Sequence, residues 1–109
     1  MPYARWGETA LVNPEGEIFA AAFDGDLPQF DGPDARAAEV TSRHREWSAL
    51  LSPLGLKLRA VALSARGGWR LRASADDAPL AIELGRYDVD ARLARFVAAL
   101  HGTPGTGDT

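Results

Sequence analysis

Basic side chains dominate one stretch of this 109-residue chain. Between positions 57 and 72 the sequence carries five cations and no acid: Lys57, Arg59, Arg66, Arg70 and Arg72. Guanidinium groups bind carboxylates and phosphates through paired N–H donors, so this stretch predicts a surface that binds anionic groups. Two kinds of partner fit it, a protein with an acidic face or a single-stranded nucleic acid. The net charge of the chain, -3, does not favour a general polyanion-binding protein.

The last eight residues, GTPGTGDT from Gly102 to Thr109, are one residue away from a phosphate-binding loop. Asp108 stands where that loop needs a lysine, and the stretch follows a predicted helix instead of linking a strand to a helix. Nucleotide binding is therefore not supported, because phosphate is held by the N–H groups of a helix that the loop begins. We predict one domain over residues 1–100 and a disordered polar tail over residues 101–109.

Other residue types give little support for catalysis or metal binding. His44 lies on a predicted apolar stripe with no ligand partner one turn away, which favours a packing role, and His101 lies near the chain end. The aspartates of FDGDLPQFDGPD lack calcium-loop spacing, because Pro28 interrupts them and no glutamate closes the loop. The sequence contains no Gly-x-Ser-x-Gly elbow and no cysteine. We therefore expect no catalytic residue, no cofactor and no metal.

The first third of the chain predicts short strands and a helix. Thr9 to Ala20 should form a hairpin, since Asn13-Pro14-Glu15-Gly16 suits a type I turn. Residues 24–34 are rich in Gly, Pro and Asp and predict a loop. Pro33 should then begin a helix that Pro53 and Gly55 end. Its apolar stripe comprises Val40, His44, Trp47, Leu51 and Leu54.

Three alternating segments follow, LKLRAVAL, WRLRA and LAIEL, and they predict an antiparallel meander with one face in water. The inward residues should be Leu56, Leu58, Trp69, Leu71, Ala73, Leu80, Ile82 and Leu84. The segment VDARLARFVAAL predicts a second amphipathic helix. Its apolar positions are Val89, Leu93, Phe96, Val97 and Leu100. The predicted fold class is α+β, with two amphipathic helices packed on a mixed or antiparallel sheet.

Several stretches, taken in order, carry a family resemblance: PYARWGETALVNPEGEIFA, LPQFDGPD, LSARGGWRLR, LAIELGR and RLARFVAAL. The specific matches form a series that includes Ala4-Arg5-Trp6, Gly32-Pro33, Arg66 with Trp69, and Leu84-Gly85-Arg86. From about Pro2 to Leu100 the chain resembles the β domain of the bacterial cell-division family FtsQ, called DivIB in Gram-positive species.

The resemblance implies a non-catalytic scaffold of the divisome. Proteins of this family carry one membrane helix, a POTRA domain and this β domain, which lies at the periplasmic face of the inner membrane. They bind FtsB and FtsL, and FtsB pairs with a strand at a sheet edge. The arginine that matches Arg66 belongs to that interface, so we expect Arg66 to bind the partner. The charges of Arg70 and Arg72, where the family match is not specific, lead us to expect that they are protein-binding residues which add steering. We expect no nucleic-acid partner. The alternative is a small nucleic-acid-binding module that uses the basic hairpin Lys57–Arg72.

The sequence departs from the family pattern after the last predicted helix. In the family a further strand resembling YVDLRYPNGFAV follows, and that strand forms the edge that binds FtsB. These 109 residues contain no such segment, and no membrane helix or POTRA domain. We therefore expect a fragment or a shortened form that binds FtsB weakly by itself. A sheet edge left open in this way is also expected to favour pairing between two copies of the chain.

Overall fold

The computed structural model describes residues 2–76 and 78–102. In those residues it contains seven strands and two α-helices, which confirms the predicted α+β class. The strands are β1 (Ala4–Trp6), β2 (Ala10–Val12), β3 (Ile18–Ala20), β4 (Gln29–Asp31), β5 (Lys57–Leu63), β6 (Trp69–Ala75) and β7 (Ala78–Gly85). The helices are α1 (Ala37–Leu51) and α2 (Val89–Gly102), and 3₁₀ turns at Asp34–Arg36 and Ser52–Leu54 flank α1.

All seven strands form one mixed sheet in the order β3-β2-β1-β4-β5-β6-β7. The first three strands are an antiparallel meander, which confirms the predicted hairpin β2–β3. Strands β5, β6 and β7 form the second predicted meander. Strand β4 joins the two meanders, because it pairs in parallel with β1 on one side and with β5 on the other.

The loop predicted over residues 24–34 is wrong at its centre, where the structure has β4. Phe30, the middle residue of this strand, is completely buried. It lies opposite Trp6 of β1 and Val61 of β5. A strand of three residues with one apolar side chain shows no alternation in the sequence, so only its two neighbours identify it.

Helix α1 covers one face of the sheet with the predicted stripe. Val40, His44, Trp47 and Leu51 are buried, and Leu54 is half-buried in the following 3₁₀ turn. The helix begins later than expected, since Asp34–Arg36 forms a 3₁₀ turn after Pro33. Its end is as predicted, because Gly55 takes a left-handed conformation with φ of 77°. The sheet residues predicted to point inward are buried as well, apart from Leu80, which is half-buried.

The imidazole of His44 is part of this core, which confirms its predicted packing role. Nε2 lies 3.1 Å from the carbonyl oxygen of Leu58, and Nδ1 lies 2.8 Å from the hydroxyl of Tyr3. A carbonyl can only accept, so Nε2 carries the proton and Nδ1 accepts from the tyrosine. Burial lowers the pKa of His44, and burial likewise raises the pKa of Tyr3.

Helix α2 is covered less completely than its apolar stripe predicts. Leu93 is completely buried, and Phe96 and Val97 are half-buried against the core. Leu100, one turn further on, is 41% exposed. Neither α2 nor any other helix in the described residues is long and apolar enough to cross a membrane. The last part of the stripe therefore lies open beside the sheet.

Candidate protein-binding surface

The structure places Arg70 and Arg72 side by side on one face of β6. Trp69, Leu71 and Ala73 point into the core, so the alternation of the strand turns both arginines to the opposite face, where they are exposed. This is the wet face that the sequence predicts. Strand β6 lies between β5 and β7, however, so these two arginines stand on the face of the sheet and not at its edge.

Arg66 lies at the apex of the turn that joins β5 to β6. The backbone N–H of Ser64 donates to the carbonyl of Gly68 at 2.8 Å, and the N–H of Gly67 donates to the carbonyl of Ser64 at 2.9 Å. Gly67 has φ of 91°, the positive value expected for this turn, where residues with a Cβ are strained. The turn thus holds an exposed arginine at one end of the sheet, away from Arg72.

Existing ion pairs leave these arginines unequally available. Arg70 lies 3.4 Å from Glu83 on β7, but both side chains are more than two-thirds exposed, so this pair is weak. Arg72 faces Ala60 and Ala81 across the strands and takes part in no ion pair within residues 2–76 and 78–102. Arg66 likewise has no ion pair in that part of the chain.

A nucleic-acid platform is not favoured by the same surface. Such a platform needs exposed aromatic rings on which bases stack, and Trp69 is only 5% exposed because it packs edge-to-face on Trp47 at 5.2 Å. Arg59 is also occupied in part, since it lies 3.4 Å from Asp26. The five cations of the basic stretch therefore do not form one continuous row of free guanidinium groups.

An open sheet edge lies close to the arginines. Strand β7 is the last strand in the order, so one side of its backbone has no strand partner among the described residues. Unpaired N–H and C=O groups of an edge can be satisfied by a strand of another protein. Helix α2 packs against β7 and contributes the half-covered side chains of Phe96 and Val97. A partner could thus pair with the backbone of β7 and contact the apolar side chains of α2 beside it.

The carboxylates and histidines do not form a metal site in the described part of the chain. No group of three or more His, Asp, Glu or Cys side chains with ligand-like spacing occurs there. Asp34 instead accepts a hydrogen bond of 2.8 Å from the indole N–H of Trp6. His101 has no described side chain, and residues 103–109, which hold most of the polar tail, lie outside the described residues.

Sequence reasoning missed Arg86 as a candidate for the binding surface. Arg86 follows β7, yet its Nη1 donates to the backbone carbonyl of Arg66 at 3.5 Å. The two arginines are 20 residues apart in the sequence. They meet only because Trp69 pairs with Gly85 across β6 and β7. The motif Leu84-Gly85-Arg86 was the available signal, but it shows no spatial relation to the β5–β6 turn.

Comparison with known proteins gives one consistent result. Residues 4–104 match the family model of the cell division protein FtsQ/DivIB, C-terminal. The cell division protein FtsQ of Nitrosospira multiformis is 40% identical over 97 residues, which are 89% of this chain and 40% of that protein. FtsQ of Xanthomonas campestris pv. campestris is 38% identical over 102 residues, 91% of this chain and 36% of that protein.

FtsQ of Escherichia coli is 35% identical over 101 residues, which again are 89% of this chain and 36% of the relative. The chain therefore spans about two-fifths or less of the length of these relatives. The matched region begins at β1 and extends through α2, so it includes the whole sheet, the arginines and the open edge. On this evidence the chain belongs to the FtsQ/DivIB family, of which it represents the C-terminal domain.

Proposed function

We propose that the chain is a non-catalytic scaffold domain of the bacterial divisome. Its place would be the periplasmic face of the inner membrane, in a protein with a single membrane helix. There it would bind FtsB and FtsL and so help to organise septal cell-wall synthesis. The observation that carries this proposal is the family match, which covers residues 4–104. The chain spans about two-fifths of the length of the Nitrosospira relative.

Edge pairing on the β7 side of the sheet is the binding mode that we propose. A partner strand would pair with the unpaired N–H and C=O groups at the edge of the sheet. That edge strand is either β7 itself or a further strand that pairs with β7. The half-buried side chains of Phe96 and Val97 would cover apolar residues of the partner. Arg66 would donate to a carboxylate at the end of the paired region, and Arg70 and Arg72 would attract acidic residues during approach.

Titration calorimetry with a soluble periplasmic segment of FtsB tests this proposal. The protein is used at its full encoded length, and residues 1–109 are measured in parallel. We expect the full-length protein to bind, and Arg66→Gln to weaken binding about 10- to 150-fold, since a hydrogen bond to a charged group contributes about 1.5–3 kcal/mol. Residues 1–109 should bind more weakly, because they contain no segment that resembles the family's final strand.

Arg36→Gln is the matched control for the arginine variants. Arg36 is also exposed, but it lies before α1 and forms an ion pair with Glu39 on that helix. Arg70→Gln and Arg72→Gln should mainly reduce the association rate at low salt, which stopped-flow mixing measures. Equal affinities of the wild type, Arg66→Gln and Arg36→Gln would contradict the proposed role of Arg66. No binding by the full-length protein would contradict the proposed function itself.

A further inference from the structure

Three arginines from separate parts of the sequence converge at one end of the sheet. Arg66 lies in the β5–β6 turn, Arg86 follows β7, and Arg92 lies in the first turns of α2. All three side chains belong to exposed residues. We call Arg66, Arg86 and Arg92 the arginine tip. Arg86 Nη1 lies 3.5 Å from the carbonyl oxygen of Arg66, so the two loops of the tip meet through a long and weak hydrogen bond.

The guanidinium of Arg86 is held in place although it is exposed. It lies over the ring of Tyr87, with its carbon atom 5.1 Å from the ring centroid. Tyr87 itself is 67% exposed, so the ring serves as a support on the surface and not as part of the core. Cation–π stacking and one hydrogen bond restrict the side chain, yet they leave most of its five N–H donors available. An arginine fixed in this way loses little further entropy when it binds a carboxylate.

Arg92 approaches the tip from the helix side. A Cβ built on Gly85 would lie 3.8 Å from Arg92 Nη1, so the guanidinium lies against the end of β7. The position of the helix is fixed there by a hydrogen bond of 2.8 Å from the N–H of Arg92 to the carbonyl of Asp88. Gly85 pairs with Trp69, the residue three positions after Arg66. The end of the β6–β7 pair thus brings all three cations together.

The tip is short of negative charge. None of its three cations forms an ion pair within residues 2–76 and 78–102. Two nearby acids have other partners, since Glu83 lies 3.4 Å from Arg70 and Asp90 lies 2.9 Å from Arg43. Asp88 is the remaining carboxylate in the loop. Asp31 lies beside the tip as well, because it lines a hollow together with Gly85. Three cations against these two carboxylates leave one positive charge in excess, on a chain whose net charge is negative.

We propose that the arginine tip is one carboxylate-binding site for an acidic protein segment, with Arg86 and Arg92 as binding residues beside Arg66. The proposal rests on the proposed function, because the segment would be the part of the strand-pairing partner that reaches the Gly85 end of β7. Guanidinium groups bind carboxylates through paired hydrogen bonds, and a stretch with several acids would engage more than one of them. The tip would thus favour the register of the partner strand that places its acids at the Gly85 end of β7.

An acidic peptide fits the tip better than a nucleic acid does. A phosphate backbone needs cations along an extended track, whereas these three cations are confined to one end of the sheet. Tyr87 is a single exposed ring, and the guanidinium of Arg86 already lies over it, whereas bases of a single strand stack on several rings in succession.

The test uses the full-length protein with two forms of the FtsB segment, the native one and one in which Asp and Glu are replaced by Asn and Gln. We expect Arg86→Gln and Arg92→Gln each to weaken binding of the native segment about three- to tenfold, the range between an exposed ion pair and a charged hydrogen bond. Both variants should bind the neutralised segment with the same affinity as the wild-type protein does. Arg36→Gln should leave both affinities unchanged, and all variants should keep the wild-type midpoint of urea unfolding.

The inference is overturned if Arg86→Gln and Arg92→Gln bind the native segment as tightly as the wild type while Arg66→Gln binds it more weakly. The proposed function would then still stand. A second measurement covers the case in which FtsB does not bind. At low salt, a triglutamate peptide should shift the NMR amide signals of residues 64–68 and 85–92 of the ¹⁵N-labelled protein, and less so in Arg86→Gln. Shifts spread over all surface arginines, or no shifts, would contradict a carboxylate site at the tip whatever FtsB does.

Discussion

Replacing Phe30 by alanine should show how far the sheet depends on its central strand. Phe30 is completely buried in β4, the strand that joins the two antiparallel meanders. Its ring lies 5.1 Å from the ring of His44 and 6.0 Å from that of Tyr3. The alanine variant therefore loses both the transfer free energy of a buried aromatic ring and two ring contacts, and it leaves a cavity between sheet and helix.

The expected loss is about 4 kcal/mol in the free energy of unfolding, within the range of about 3–5 kcal/mol for Phe→Ala in a core. A domain of this size has a total stability of about 5–15 kcal/mol, so Phe30→Ala should keep only about 1–11 kcal/mol of it and unfold at a much lower urea concentration. Phe30→Leu keeps most of the volume and should cost less than about 1.5 kcal/mol, which keeps the effect measurable if the alanine variant does not fold.

Phe23→Ala is the matched control, because Phe23 is 39% exposed and lies in the loop just before β4. It should cost less than about 1 kcal/mol. Urea unfolding followed by tryptophan fluorescence measures these values, since Trp6, Trp47 and Trp69 are all buried and report on the core. The slope of the free energy with urea concentration should stay constant among variants that unfold in two states. A loss in Phe30→Ala no larger than that in Phe23→Ala would refute the assignment of β4 as the central strand.

Two further variants test the packing of α1. Burial holds the pKa of His44 below its ordinary value of 6.5, so folded His44 stays neutral while the unfolded chain takes up a proton. The free energy of unfolding should therefore fall as the pH drops below about 6.5, and urea titrations should show a smaller fall in His44→Gln. Gly16→Ala should destabilise by about 1–3 kcal/mol more than Gly7→Ala in the same titrations. Both glycines have positive φ, but a Cβ on Gly16 would overlap the backbone of Ala38, while one on Gly7 meets no atom within 4 Å. Equal costs would contradict the close packing of the hairpin on α1, and an unchanged pH dependence in His44→Gln would contradict the neutral state of His44.

Much of the fold could be predicted because one face of the sheet is dry and the other is wet. Alternation in β6 correctly turns Trp69 inward and Arg70 outward, since a half-buried strand must separate apolar and charged side chains. The helical stripe of α1 was equally clear, and His44 could be assigned to the core because it shares that stripe with Trp47.

The parts that could not be predicted depend on contacts between distant residues. Strand β4 has its bonding partners in β1 and β5, which lie far away in the sequence, and its own three residues carry no periodic signal. Helix α2 shows the opposite case. Its apolar stripe predicts a fully packed helix face, yet Leu100 is 41% exposed. Periodicity shows which residues share a face of the helix, but not how much of that face is covered.

The charges of the candidate binding surface could be predicted only in part for the same reason. The run from Lys57 to Arg72 appears in the sequence as one basic stretch, but the fold divides it. Alternation places Arg70 and Arg72 on the face of an inner strand, while the turn carries Arg66 to the end of the sheet. The pairing of Trp69 with Gly85 then brings Arg86 to the carbonyl of Arg66. Cations close in sequence are thus separated and cations distant in sequence are joined, so the register of β6 on β7 decides which arginines can bind a carboxylate together.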